Sequence, residues 1–469
     1  MKNPPSSLSR RRFLGQASCA AVTAVPVMNT LLNLSMAGRV AAAEPNQNEY
    51  RALVCVFLSG GNDSFNMLVP RGNSEYAEYA TVRSGLALAQ NSLLAINPVN
   101  NPGRALGLHP SMPELRDLFE QGHASFIANV GTLIEPVSKV EYAALSKALP
   151  LGLYSHSDQI EQWQTSIPHA RSGIGWGGRM ADLLHQLNDE QRVSMNISLS
   201  GSNIWQAGNE VYDYSITDEG AVELTGYLPE YAFTWGTEQI RSAAIESQMS
   251  LQYSNLLQQS FANSKRNAVE GYTRFAAATV SDPPLAASFP NTYLGRNLRM
   301  VAKAIQGRDA LGVKRQTFFI NFGGWDHHGE LLVNQQAMLA QVSAAVGSFY
   351  NSLASMGVQN SVTLFTASDF GRTLNSNGRG SDHAWGGNQF VVGGGINGRR
   401  IFGQYPALAE GSAQDVGSGR LIPTTSCDEY FAELAMWLGV SRSSLPLVLP
   451  NINHFFNTSG TGWPVGFLA

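Results

Sequence analysis

Three apolar runs, far apart in the chain, each stop at a turn that carries an aspartate. Ala52–Leu58 runs into SGGNDS with Asp63, Gln316–Phe322 into GGWDHHG with Asp326, and Ser361–Thr366 into ASDFGRT with Asp369. Between the second and third runs, Leu339, Val342, Val346, Phe349, Leu353 and Met356 recur at steps of three and four, and Gly357 follows. That spacing is the apolar face of one helix. Strand, helix, strand in this order calls for a right-handed crossover and makes the two strands parallel. In a parallel sheet the C-terminal strand ends share one edge, and ligands bind in the crevice outside it. The pattern therefore predicts an α/β fold in which Asp63, Asp326 and Asp369 converge.

Three carboxylates on one edge repel each other unless one is protonated or a cation sits between them. Histidines lie in the same short segments: His327 and His328 beside Asp326, and His383 in GSDHAWGG. Aspartate and histidine drawn from several strand ends make a divalent-metal donor set, compatible with zinc or manganese. Each piece alone has a plainer reading. Asp63 suits a turn, DHH suits a polar loop, and Asp369 suits the cap of a helix starting at FGRT. Their coincidence favours a metal or polar active site.

A further segment, LYSHSDQIEQW (Leu153–Trp163), has two readings. Ser155 or Ser157 can cap a helix whose first turn carries Asp158 and Glu161. Alternatively, Ser155 offers a nucleophilic hydroxyl at a helix N-terminus, with His156 as a metal ligand or acid–base group. Arg179 and Arg372 can bind an anionic oxygen, although surface or helix-end arginines are the commoner case. VVGGGINGRR (Val391–Arg400) lacks the spaced glycines of a nucleotide loop.

The remaining pattern is coarser. Ser111–Gly122 reads as a helix and Ala124–Gly131 as a strand. Residues 186–235 are irregular and β-like, Gly236–Ala277 is helical, and a further helix is expected over Asn291–Ile305. A helical or irregular insertion is placed at about 186–285 within a single domain spanning 44–469.

Composition narrows the class. With 43% hydrophobic and 14% charged residues, the chain can bury a large core. A net charge of -4 leaves no basic excess for nucleic acid. The N-terminus reads SRRRFLG, then a weakly apolar stretch, then AGRVAAAE with the small-x-small pair Ala41 and Ala43. That is a leader over residues 1–43, and the adjacent arginines favour the twin-arginine export route. No later run reaches the roughly 18 apolar residues of a membrane span. Outside the leader only Cys55 and Cys427 remain, which is no disulfide framework. Cys55 lies inside an apolar run, so buried and unpaired is its preferred reading, with a single bridge between the two as the alternative.

The blocks FLSGGNDSFNMLVP, YSHSDQIEQWQ, GWGGRMAD, GGWDHHG, ASDFGRT, SDHAWGGNQFVVGGG and DEYFAELAMWLGVSRSSLPLVLPNI, with the twin-arginine leader, resemble the exported bacterial family known as domain of unknown function 1501. The likeness covers essentially the whole chain after the leader. That family is similar to the alkaline phosphatase and sulfatase superfamily. The resemblance implies a three-layer α/β/α sandwich with a mostly parallel sheet and metals at its C-terminal edge. It assigns metal binding to Asp63, to Asp326 and His328 as an Asp-x-His pair with His327 between, and to Asp369 and His383. Zinc is expected foremost, with manganese or calcium as alternatives. Two departures stand out. Phe370 follows the late acid where phosphatases have histidine, and no Cys-x-Pro-x-Arg sulfatase motif is present. Ser155 is the expected nucleophile, with a metal-bound hydroxide as the alternative. The expected activity is hydrolysis of phosphate or sulfate esters, of small-molecule or polysaccharide substrates, in the periplasm or outside the cell. The alternatives are a non-catalytic exported binding protein on the same scaffold or, less favoured, an isomerase or phosphomutase.

Overall fold

In the computed structural model, the structure describes residues 49–468 apart from 101, 225 and 228–236. The leader expected over residues 1–43 lies outside the described residues. The first apolar run becomes the strand Arg51–Ser59, and every residue from Ala52 to Leu58 is buried. A strand with no polar face belongs inside a sheet covered on both sides. It pairs in parallel with Arg315–Gly323 on one flank and Val362–Ser368 on the other. The two strands of the crossover unit thus do not touch each other. The first strand lies between them.

The main sheet continues outward from this trio. Beyond Val362–Ser368 come Gly387–Val392, Ala124–Gly131 and Ile401–Phe402, and beyond Arg315–Gly323 come Asn196–Ser198, Tyr214–Thr217 and Gly220–Ala221. The short strand Thr425–Ser426 also pairs with Ala124–Gly131. Among the described residues only Gly387–Val392 and Gly220–Ala221 run antiparallel to their neighbours in this sheet, so it is mostly parallel.

Alternation along the first strand builds two cores. Ala52, Val54, Val56 and Leu58 face the helices Pro113–Glu120, Tyr293–Gln306 and Leu331–Ser355. Leu53, Cys55 and Phe57 face the helices Trp176–Leu184 and Cys427–Leu438. Three layers result. On the second face Trp176 stacks on Phe431 with ring centroids 4.5 Å apart. Each such buried aromatic contributes about 2 kcal/mol or more from burial. Cys55 and Cys427 are both free and buried.

Several expectations shift in detail. The 186–285 stretch is part sheet and part helix. Its strands Asn196–Ser198 and Tyr214–Thr217 extend the main sheet, and helices Thr237–Ser250 and Leu256–Ala278 follow. The C-terminal end of the second helix docks on that edge through Phe275, whose ring lies 5.8 Å from Tyr214. No helix starts at FGRT. The chain after Asp369 is extended there, and Arg372 forms an isolated β-bridge with His383.

The turn after the first strand shows why two glycines stand there. Gly60 has φ +118°, and a Cβ on it would lie 2.5 Å from the Asp326 amide nitrogen. Gly61 has φ +86°, and a Cβ on it would meet the Phe370 ring at 2.6 Å. Gly60→Ala is expected to lower the urea midpoint, with at least about 1–3 kcal/mol lost to backbone strain before any clash. An unchanged midpoint would contradict this close approach.

Candidate metal centre

Each side chain of the centre is aimed by a different turn at the sheet edge. Asp326 follows the strand Arg315–Gly323, and its neighbour Trp325 is buried and donates its backbone N–H to Ser59 O at 3.1 Å. Asp369 follows Val362–Ser368 and is fully buried. Its two carboxylate oxygens lie 3.0 and 3.1 Å from the Gly60 amide nitrogen, which donates to them. His156 is the first residue of the helix His156–Thr165. Tyr154, two residues earlier, turns the chain into that helix with φ 72°, a left-handed conformation uncommon for a bulky side chain. His383 is held opposite Arg372 by the β-bridge.

Three histidines share one arrangement. His156 Nδ1 lies 2.6 Å from Asp369 Oδ2, His328 Nδ1 lies 3.1 Å from Asp382 Oδ1, and His383 Nδ1 lies 2.7 Å from the Tyr154 carbonyl oxygen. All three partners are acceptors, so each Nδ1 carries the proton. Each Nε2 in the neutral ring is then a bare lone pair. These lone pairs converge on Asp326. His156 Nε2 is 3.4 Å from Oδ2, while His328 Nε2 and His383 Nε2 are 3.1 and 3.3 Å from Oδ1. The His328 and His383 Nε2 atoms are themselves 3.0 Å apart.

Bare lone pairs and a carboxylate at such distances repel unless a proton or a cation lies among them. His156 Nε2 is buried and has no hydrogen-bond partner. A tetrahedral ion with bonds of about 2.0–2.1 Å separates its ligands by about 3.3 Å, close to the spacings between Asp326 and each of the three Nε2 atoms. His328 lies beside Asp326 and His383 but outside the tighter group formed with His156. Imidazoles whose far nitrogen donates to a carboxylate or carbonyl are the usual outer support of such ligands. The donor set therefore fits a divalent cation. The atoms of His156, Asp326 and His383 that would face it all lie within 4.8 Å of one another.

The electrostatics differ from ring to ring. The hydrogen bond to Asp369 raises the His156 pKa above the ordinary histidine value, against the opposing effect of burial. Burial lowers that of His383. For Asp326 burial works upward, but the Arg372 hydrogen bond and charge, together with His328 and His156, outweigh it and hold the carboxyl below the usual range. Phe370 is the apolar wall of the centre, its ring centroid 4.8 Å from His156 and 4.7 Å from His383.

The site residues expected from sequence thus fall into three positions. His156, Asp326, His328 and His383 come together. Asp369 stands behind them as the partner of His156, because its oxygens are turned to Gly60 N–H and to the imidazole. Asp63 does not join the group. It is buried against Arg83, which also donates to the carbonyls of Thr373 and Leu374 at 3.0 and 3.2 Å. Ser155 caps no amide with its side chain, and its Oγ lies 3.1 Å from Ser157 Oγ. His327 is buried, and burial lowers its pKa below the ordinary histidine value. Arg179 donates to the carbonyls of Ile174 and Val448, which accounts for it structurally. Sequence reasoning missed Asp382 and the Tyr154 carbonyl. Asp382 was legible as the neighbour of His383 in SDHAWGG. A backbone carbonyl leaves no residue-type signal.

The chain belongs to the family described as "Protein of unknown function (DUF1501)", which matches over residues 50–426. No curated protein matches it in sequence. Among solved structures it is similar to Ps i-CgsB in complex with k-i-k-neocarrahexaose, at 12% identity and TM-score 0.30 over 87% of this chain and 78% of that one. It is also similar to the soluble domain of lipooligosaccharide phosphoethanolamine transferase A from Neisseria meningitidis, at 10% identity and TM-score 0.31 over 88% and 92% of the two chains. An alkaline phosphatase PafA mutant aligns at 11% identity and TM-score 0.23, over 69% and 64%.

The geometry separates Asp63 from the other acids in a measurable way. Asp63→Ala leaves the Arg83 charge buried and unpaired and is expected to cost about 3–5 kcal/mol of stability. Folded Asp63→Ala protein is nevertheless expected to bind zinc as the unaltered chain does, whereas His156→Ala and His383→Ala lower zinc affinity by at least tenfold. Loss of zinc from folded Asp63→Ala protein, measured by chelator competition, would return Asp63 to the ligand set.

Proposed function

We propose that this protein is an exported, divalent-metal-dependent hydrolase of phosphate or sulfate esters. The observation that carries the reading is the convergence of three imidazole Nε2 atoms on Asp326, each ring backed by an acceptor at Nδ1. His156, Asp326, His328 and His383 would hold the ion, with zinc foremost and manganese or calcium as alternatives. A bound divalent ion supplies Lewis acidity toward ester oxygens. Asp369 and Asp382 keep His156 and His328 in the tautomer that presents Nε2, so neither ring must reorient when substrate arrives. Asp326 supplies the negative charge that the three neutral rings lack.

Ser155 is the proposed nucleophile. It directly precedes His156, its hydroxyl is not committed to a helix cap, and it sits at the start of the ten-residue helix His156–Thr165. The unpaired N–H groups and dipole of that helix start favour negative charge, either on the attacking oxygen or on the ester oxygens. Phe370 excludes water from one side of the histidine cluster, which strengthens the electrostatics there. The twin-arginine leader directs the reading to the periplasm or the cell exterior, where small-molecule or polysaccharide esters are the substrates within reach.

One observation favours a second reading, a non-catalytic exported binding protein. Phe370 packs against two of the four ligand side chains and so occupies space beside them. The readings separate in a screen of aryl phosphates, phosphodiesters and aryl sulfates with added zinc, manganese or calcium. The hydrolase reading expects turnover that chelation abolishes and that Ser155→Ala reduces by at least about 100-fold, with Ser157→Ala much milder. Protein that holds its ion yet turns over none of these esters would favour the binding role. Full activity in Ser155→Ala would remove Ser155 as the nucleophile.

A further inference from the structure

Asp326 is the one carboxylate that faces the centre, yet it stands on an irregular turn with its side chain 44% exposed. His328 of the same segment lies 3.1 Å from it, but among the described residues the hydrogen bond to the carboxylate comes from elsewhere. The group that donates it is Arg372, whose side chain is fully buried. Its Nη1 donates to Asp326 Oδ1 at 2.8 Å and to the Gly60 carbonyl at 3.2 Å. Its Nη2 donates to the Ser381 carbonyl, and its Nε reaches Ser381 Oγ at 3.4 Å. The guanidinium is thus engaged on every nitrogen by groups of the protein, which removes it from the anion-binding role its sequence position allows.

The backbone around the same residue does a second task. Arg372 forms the β-bridge with His383, and the flanking bonds run from Gly371 N to Trp385 O at 2.9 Å, Ala384 N to Gly371 O at 3.0 Å and Thr373 N to Asp382 O at 2.9 Å. The bridge sets the position of His383 and carries Asp382, the partner of His328. Arg372 therefore holds a carboxylate through its side chain, while its neighbours Gly371 and Thr373 hold the histidine segment through the main chain. Gly61 makes room for it, since a Cβ there would lie 3.3 Å from Arg372 Cδ as well as against Phe370.

We propose that Arg372 is the positioning residue of the centre, orienting Asp326 relative to His383 so that the ligand set is formed before an ion arrives. The inference rests on the metal-centre reading above. A planar fork held at several acceptors is pre-organised in a way a lysine cannot reproduce. Supporting groups around a metal ligand are worth about 10–100-fold in affinity.

The test uses the full chain after its leader, stripped of metal and titrated with zinc and with cobalt, whose visible spectrum reports coordination. Arg372→Met is expected to weaken zinc binding 10–100-fold and to change the shape of the cobalt spectrum. Arg372→Lys keeps the charge but not the fork, and is expected to recover only part of the affinity. Because removal of a buried arginine can prevent folding, Arg372→Lys carries the test if Arg372→Met does not fold. Arg83→Met is the comparison, a second buried arginine at the same sheet edge that does not touch Asp326. Where folded, it is expected to stay within twofold of the unaltered protein in zinc affinity. Zinc affinity within twofold and an unchanged cobalt spectrum in Arg372→Lys would overturn the inference while leaving the metal centre standing. An unaltered protein that takes up neither ion would overturn both.

Discussion

Register in the middle of the sheet is the constraint on which the rest depends. Leu58 stands level with Phe322 on one side and with Ser368 on the other. The three strands therefore end together, and the turns that follow them emerge side by side. Parallel pairing alone would bring the turns near each other. The glycines at 60 and 61 bring them into contact, because Gly60 approaches the backbone of Trp325 and Asp326 and Gly61 lies over Phe370 and Arg372. From that contact follows the hydrogen bond from Gly60 N–H to Asp369, and from Asp369 follows the orientation of His156.

The three strand-end acids share an edge but not a role. Asp326 is half-exposed and faces the histidines. Asp369 is buried one layer back and acts on the centre through an imidazole. Asp63 is buried further along and is neutralised by Arg83. The division resolves the repulsion that three clustered carboxylates would otherwise suffer. One is paired with a guanidinium, one with an imidazole and a backbone N–H, and one faces the histidines.

Much of this was legible in the sequence because it follows from periodicity. The strand Ala124–Gly131 occupies the residues expected, and the central strands differ from expectation by a residue or two at their ends. Parallel strands ending together lead to the expectation that Asp63, Asp326 and Asp369 converge; Asp326 and Asp369 do lie with the histidines, whereas Asp63 is turned to Arg83. What the sequence could not convey is which way each side chain turns at that edge. Arg83, 20 residues after Asp63, reads as an ordinary helix-end arginine until the fold brings it onto the carboxylate. His156 was weighed as a ligand or an acid–base group, and only the acceptor behind its Nδ1 decides where its Nε2 points. Likewise FGRT resembles a helix start locally. Pairing with the His383 segment offers its backbone better partners than a helix would, and the extended form wins.

The central claim is that His156, His328 and His383, with Asp326, form a ligand set for one divalent ion. X-ray absorption at the zinc edge of the zinc-loaded protein tests it most directly. The account predicts a nitrogen- and oxygen-rich first shell at about 2.0–2.1 Å, with outer scattering from three imidazole rings that diminishes in His156→Ala. A first shell of oxygen alone, or imidazole scattering unchanged in His156→Ala, would contradict it.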